Sequence, residues 1–546
     1  TTTRQRFHNA TGLGPLTQPR GAQPHGRVTY VATYPDGIGR PQATANYGTN
    51  GDVTLVRPAV APTSSATVLV TLTLYNSRGE PYQSIDPAGT ITLTTLDDAG
   101  RRVQLIENYR AASSSSSSSG GGPPVYDQNR TANWTWTADD NIATITGVNG
   151  QTGNQTTAYG YGTTLRTSDV ARNDVLSSLT YADAGAANYL VNRQSEVKQR
   201  TEQTSTVHQY SLDFLGRQIE DAITALGTGV DGTVQRIGAT YEVRGNVQNV
   251  TSFSSPTVGQ GTVVNDIQCV YNSFMQLVTE YQEHNGAVNT STSVNVQYQY
   301  ANGSANTIRP TAIVYPNGRV LSLSYGTSGG MDDALSRVAS LIDSDGVTHL
   351  ADYTRLGLAT IVEANSPQPQ IAWSLINGTG TDPYTGLDQF NRVVDNRWFS
   401  TATNADLDRI QHGYDLASNR LWRKNTVADA AVVYLDEFYQ HDGLYRLAYL
   451  QRGQLNSTNT GVVPGTQSFT QQRVLDPTGN WVEFQQSDPS GTLDQFRSAN
   501  TVNEITGISS PGVTPFYDAV GNMVSMPQPA NPTAVARAVF DAWSRV

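Results

Sequence analysis

The stretch Tyr414-Asp415-Leu416-Ala417-Ser418-Asn419-Arg420-Leu421 decides how this chain is read. Alone it is an ordinary turn sequence. The same pattern returns at Tyr517-Asp518-Ala519-Val520-Gly521-Asn522-Met523 and at Phe540-Asp541-Ala542-Trp543-Ser544-Arg545-Val546. An aromatic or other bulky residue precedes Asp. Three residues after the Asp comes a small residue, usually Gly or Ser, then Arg or Asn, then an apolar residue.

Outward from this stretch the pattern is dense. Leu212-Asp213-Phe214-Leu215-Gly216-Arg217-Gln218-Ile219, Tyr241-Glu242-Val243-Arg244-Gly245-Asn246-Val247 and Tyr271-Asn272-Ser273-Phe274-Met275-Gln276-Leu277 follow one another at intervals of about thirty. Leu387 to Val393, His441 to Leu447 and Leu475 to Trp481 are further copies, and Tyr315 to Val320 is a shortened one. Asp332 to Val338 is a near match, Tyr353 to Leu358 continues the array, and Tyr181 to Gly185 reads as a decayed copy. Early copies stand at Tyr34 to Arg40 and Asp97 to Val103. Between them lie alternating segments such as Ser293-Val294-Asn295-Val296-Gln297-Tyr298-Gln299-Tyr300, the period-2 signal of half-buried strands.

The chemistry of the unit is legible. Asp accepts a hydrogen bond from the backbone N–H two residues on, Gly supplies positive φ, and the following Arg or Asn re-enters a strand. The flanking bulky and apolar residues then share one face and pack against adjacent units, so the motif fixes register. The motif residues expected at these turns are Tyr414, Asp415, Asn419, Tyr517, Asp518, Gly521, Asn522, Asp541, Arg545, Asp213, Gly216, Arg217, Gly245 and Asn246. Repeats of twenty to forty residues in such number signal an architecture in which each unit buries its apolar face on its neighbours.

Composition agrees. Of 546 residues, 37% are hydrophobic and 15% charged, and 27 Tyr outnumber 12 Phe and 4 Met, which favours strands with one wet face over helices. The net charge of −11, with no run of Lys or Arg, gives no footprint for nucleic acid. One cysteine, Cys269, excludes a disulfide within the chain and reads as a small hydrophobe in a strand. No apolar run approaches the roughly 20 residues that span a bilayer.

The chain divides into an extended lead-in at 1–30, first β repeats at 31–112, a Ser/Gly/Pro linker or insertion loop at 113–124, and a repeat region at 125–546 that stops within a repeat. The lead-in opens without an initiator Met, as a processed end or a cut fragment would.

These motifs resemble the YD-repeat, or RHS-repeat, family, with degenerate copies over roughly residues 30 to 546. The resemblance implies an all-β fold: a long antiparallel sheet of repeated β-hairpins spiralling into a hollow shell. It also implies a container or scaffold of a secreted or cell-surface protein, whose partner is its own C-terminal cargo domain, lying outside this sequence. Family members commonly end in a core that cleaves itself at Asp in a D-P-x-G setting. Asp476-Pro477-Thr478-Gly479-Asn480 has that look but occupies the turn slot of a repeat with two copies after it, so a structural turn is expected.

No motif points to an enzyme or a cofactor. His8, His25, His208, His284, His349, His412 and His441 are scattered singly, without metal-site spacing. Asp343-Ser344-Asp345-Gly346 begins like a calcium loop but lacks its later ligands and reads as a hairpin turn. The pairs Asp97-Asp98, Asp139-Asp140 and Asp332-Asp333 put adjacent carboxylates on opposite faces of a strand, unsuited to flank one bond. Trp134, Trp136 and Trp481, with Trp398 and Trp422, are the candidates for contact with cell-surface glycans. Two other readings stand beside the container: an adhesive, carbohydrate-binding surface protein, and a self-assembling extracellular fibre subunit.

Overall fold

The computed structural model describes residues 1–111, 126–303, 306–378, 380–509, 512–528 and 531–546. The Ser/Gly/Pro segment at 113–124 lies outside the described residues. Among the described residues the fold is all-β, with 35 strands in one antiparallel sheet that is not closed into a barrel and three strands in a second. Helix among these residues is confined to single turns such as Met331–Ala334 and Thr426–Ala430.

Successive strands pair as hairpins. Val207–Leu212 pairs with Gln218–Ala225, Arg236–Tyr241 with Val247–Phe253, and Val263–Tyr271 with Leu277–Glu283, and each hairpin also pairs with the next. Most of these hairpins shift register at the turn, as at Thr240/Tyr241 and Val270/Tyr271. Such a shift is the mark of a bulge, and it follows from the turn chemistry described below.

The backbone contacts divide the chain into two units. The first comprises Thr1–Thr131, Ser322–Leu475 and Glu483–Asp494; the second comprises Ala132–Leu321, Asp476–Val482 and Gln495–Val546. The first unit holds two apolar clusters. In Gly26–Pro35, Val28, Tyr30, Ala32 and Tyr34 alternate inward and pack on Ala43, Ala45, Tyr47 and Val70. The Tyr34 and Tyr47 hydroxyls bond to one another at 2.6 Å within it, and burial with this contact pushes the Tyr47 phenol up to about 12. Phe7, Leu356, Val362, Leu375, Tyr384 and Leu387 form the other cluster. The second unit buries Ala187, Val191 and Ile223 beside polar groups such as His208, Asp221 and Asp266.

The structure also reassigns parts of the sequence reading. Residues 1–30 contain a strand, Thr2–Arg6, which pairs along its length with Gly26–Pro35. The hard-to-read span 151–200 holds the strands Gln155–Thr163, Arg172–Thr180, Ala186–Val191 and Val197–Thr201. One near match and one copy of the array are not repeat turns. At Asp332 to Val338 the chain makes a helical turn, because Ala334 N–H reaches back to Gly330 and Arg337 closes on Asp332 over five residues instead of four. Tyr353 lies inside the strand His349–Leu356, whose Leu356 is fully buried, so that motif ends in the core.

Candidate functional site: the repeat turn

At Asp415 the turn closes in four bonds. Ser418 N–H donates to the Asp415 carbonyl at 3.2 Å, and Asp415 N–H donates to the Asn419 carbonyl at 3.0 Å. The carboxylate accepts Asn419 N–H at 2.7 Å on one oxygen and the Asn419 amide at 2.8 Å on the other. Ser418 sits at φ 71°, which makes the loop a type I turn followed by a left-handed residue and a bulge, and this accounts for the register shifts.

The same bonds recur at each site residue read from the sequence. Asp518 accepts from Val520 N–H, Asn522 N–H and the Asn522 amide, with Gly521 at φ 89°. Asp541 accepts from Trp543 and Arg545 N–H and from the Arg545 guanidinium at 2.8 Å. Asp213 does so from Leu215, Arg217 N–H and the Arg217 side chain, with Gly216 at φ 77°. At Glu242 the longer acid reaches the Asn246 amide at 2.7 Å, with Gly245 at φ 98°.

Sequence reasoning read Tyr271 to Leu277 as a copy and a turn at Tyr75 to Glu80, but missed the exchange of donor and acceptor and the copies at Asn192 and Asn500. Asn192 and Glu196 form the same turn with donor and acceptor exchanged: the Asn192 oxygen accepts Gln194 and Glu196 N–H, and its amide donates to the Glu196 carboxylate at 2.7 Å. Asn76 with Glu80 and Asn500 with Glu504 repeat it. The signal was present as an acid or amide four residues after Asn.

Successive turns are stitched together. The Tyr241, Tyr271 and Tyr414 hydroxyls donate to the carbonyls of Gln218, Val247 and Val393, each on the neighbouring hairpin. The motif arginine of one turn covers the motif tyrosine of the next: Arg217 lies 4.1 Å from the Tyr241 ring centre, Arg392 4.8 Å from that of Tyr414, and Arg40 4.4 Å from that of Tyr75. Arg392 also donates to the Asp415 carbonyl at 3.0 Å. Tyr517 bonds Ile505 N–H through its hydroxyl. The motif aromatic therefore joins units by a polar handle as well as by packing.

Asp476 is the most enclosed of these aspartates, fully buried. One carboxylate oxygen accepts Thr478 N–H, Asn480 N–H and the Thr478 hydroxyl; the other accepts the Asn480 amide at 2.9 Å and the Asn149 amide at 2.7 Å. Burial alone raises such an acid, but these donors outweigh it and hold the carboxyl below its ordinary value. Asp476-Pro477-Thr478-Gly479 is thus a repeat turn with one extra long-range tie.

The candidate tryptophans are dispersed. Trp134 and Trp136 lie half-buried in Arg130–Trp136, and Trp481 carries Arg497 4.8 Å from its ring. Trp422 lies across from Gly413, where its indole fills the place of a side chain, while Trp398 is 44% exposed. Asp345 closes the hairpin before His349–Leu356, and its bonds from Thr348 and Val347 lower its carboxyl to about 2. Cys269 lies in Val263–Tyr271 opposite Glu280, and burial pushes its thiol up.

No family model and no curated protein matches the chain. Among solved structures, the crystal structure of TcdB2-TccC3-TEV is 12% identical with a TM-score of 0.50, over 97% of this chain and 27% of that one. The structure of the Photorhabdus luminescens Tc holotoxin pore is 11% identical over 96% of this chain and 28% of that one, with a TM-score of 0.48. The chain spans little more than a quarter of the length of either. The first likeness extends over nearly the whole chain and supports the RHS-like β-repeat fold that the turn motifs imply.

Proposed function

We propose that this chain is a non-enzymatic structural scaffold, a stretch of YD-repeat wall that encloses or presents a C-terminal cargo domain of a secreted or surface protein. The observation that carries this reading is that the motif's polar groups are consumed by the turn itself. The motif carboxylates are taken up by backbone N–H groups and by the side chain four residues on, and the stitching arginines also cover the tyrosine of the neighbouring turn, with Arg392 bonding the Asp415 carbonyl there. Motif residues bonded in this way are accounted for by architecture. The resemblance of the repeats to the RHS family, and the fold shared with TcdB2-TccC3-TEV, support the same reading.

Electron microscopy of the purified chain tests it. Discrete particles with curved walls are expected; head-to-tail filaments would favour the fibre-subunit reading and refute the container. Mass spectrometry after prolonged incubation supplies a second check. The intact 58.8 kDa mass is expected to persist, and a cut at Asp476 would overturn the assignment of that motif as a turn.

A further inference from the structure

The pairing register of the first unit sets His412, Arg423, Glu437, Arg452 and Phe469 in one transverse row across five adjacent strands. None of these positions belongs to a repeat turn, and the scaffold reading gives the row no task.

Glu437 lies at its centre, 7% exposed. Arg452 donates to Oε1 through two nitrogens, at 2.6 and 3.1 Å. On the other oxygen the Tyr439 hydroxyl donates a short bond, and the Arg423 guanidinium stands off at 3.5 Å. Burial alone would raise the Glu437 carboxyl, but Tyr439 and Arg452 hold it below its ordinary value, so it is a carboxylate at neutral pH. Both arginine side chains are partly exposed, 38% at Arg452 and 29% at Arg423.

Two fixed cations therefore share one buried anion, so within this row the arginines outnumber the carboxylate by one, in a chain of net charge −11. His412 lies beside the same cations. Directly across from Arg423 and 7% exposed, it has no partner for Nδ1, and burial with the charges of Arg420 and Arg423 pushes its imidazole down to about 4. It adds a neutral, unoccupied polar atom beside the cations.

We propose that Arg423 and Arg452, mounted on buried Glu437, form a binding site for a small monocarboxylate, with Arg423 as its principal donor. Arg423 is the choice because its contact to Glu437 is long and a planar fork of donors stays available to a second carboxylate. A single residual charge matches a monoanion, whereas dianionic phosphate overfills it. Arg452, bonded to Glu437 and lying 5.3 Å from the Phe469 ring, acts mainly to position the buried acid.

Saturation-transfer NMR and titration of the intact chain with glucuronate, with glucose as neutral control and inorganic phosphate as dianion, test the site. Glucuronate is expected to bind and glucose to be silent, with phosphate weaker. Arg423→Gln should weaken glucuronate about tenfold, the value of one charge-assisted bond. Glu437→Gln removes the competing anion and should strengthen it several-fold. The opposite signs separate binding from folding, since loss of a merely structural network would weaken the response in both variants; thermal melts by circular dichroism confirm that each remains folded. The site is refuted if folded wild-type protein gives no glucuronate response, if glucose responds equally, or if Arg423→Gln leaves the affinity unchanged. Tighter binding of phosphate than of glucuronate would overturn the monocarboxylate assignment.

Discussion

Asp476 and Asp518 occupy the same slot of the same motif within one unit, yet removing them should cost different amounts. In Asp518→Ala the turn loses a carboxylate that is bonded to Val520, Asn522 and the Asn522 amide, all at a half-exposed site where water replaces much of what is lost. In Asp476→Ala the backbone donors of the same turn lose their acceptor inside the protein, and the Asn149 amide, which arrives from 327 residues away and is itself 1% exposed, keeps only its bond to the Thr478 hydroxyl. A buried donor left without a partner costs ~1–3 kcal/mol, and more opposite a charge. Asp518→Ala should therefore destabilise the second unit by ~1 kcal/mol, near the value of an exposed cap, and Asp476→Ala by ~3–5 kcal/mol. Asp476→Asn keeps the shape but turns an NH2 toward the Asn149 and Asn480 amides, so it should fall between the two. Urea unfolding gives the ranking, and amide exchange at Thr478, Asn480 and Gln151 localises it. Equal midpoint shifts for Asp476→Ala and Asp518→Ala would refute the claim that burial and the Asn149 tie set the difference.

Three further outcomes follow from the same geometry. Met275 holds φ 63° at a solvent-exposed turn tip, so Met275→Gly should stabilise the hairpin by ~0.5–1 kcal/mol, the left-handed penalty less the gain in unfolded-state entropy, read as a rise in urea midpoint. Arg392→Lys should cost ~1–2 kcal/mol, because lysine cannot keep the bond to Asp388, the reach to the Asp415 carbonyl and the cover over Tyr414 together; near-ultraviolet dichroism should register the loss of order around Tyr414. His412 is held neutral to about pH 4 by burial and by Arg420 and Arg423, opposed by the bond to the Trp422 backbone and by Asp395, against an ordinary value of 6.5. Its contribution to stability is therefore present above pH 6.5 and lost as pH falls toward 4, by up to ~3 kcal/mol. A His412→Leu variant should flatten that part of the stability–pH curve, and an unchanged slope would count against the assignment.

The fold class was legible because its two signals are local. Period-2 alternation in stretches such as Ser293 to Tyr300 and the five-residue turn around Asp415 each fit within one hairpin, and neighbouring hairpins repeat them. Local signals also misled. Asp332 to Val338 has the right residue types, but a second acidic residue and Gly330 let the chain wind one residue further into a helical turn, and Tyr353 matches a motif from inside a strand. The Asn149 tie to Asp476 and the row from His412 to Phe469 could not be read, since each depends on register accumulated over several hairpins, and a single bulge moves every partner.

The exchange of donor and acceptor at the repeat turn has a consequence for how such chains drift. Asp with Arg or Asn, and Asn with Glu or Gln, satisfy one bond in opposite senses, so what selection can preserve at this joint is a relation between two positions and not a letter at either. A change at one member is harmful until its mate changes, after which the joint is whole again and its old spelling is gone. Profiles that score columns independently will lose these copies one compensated pair at a time, whereas a search for complementary letters four apart, with a left-handed position between them, should go on finding them.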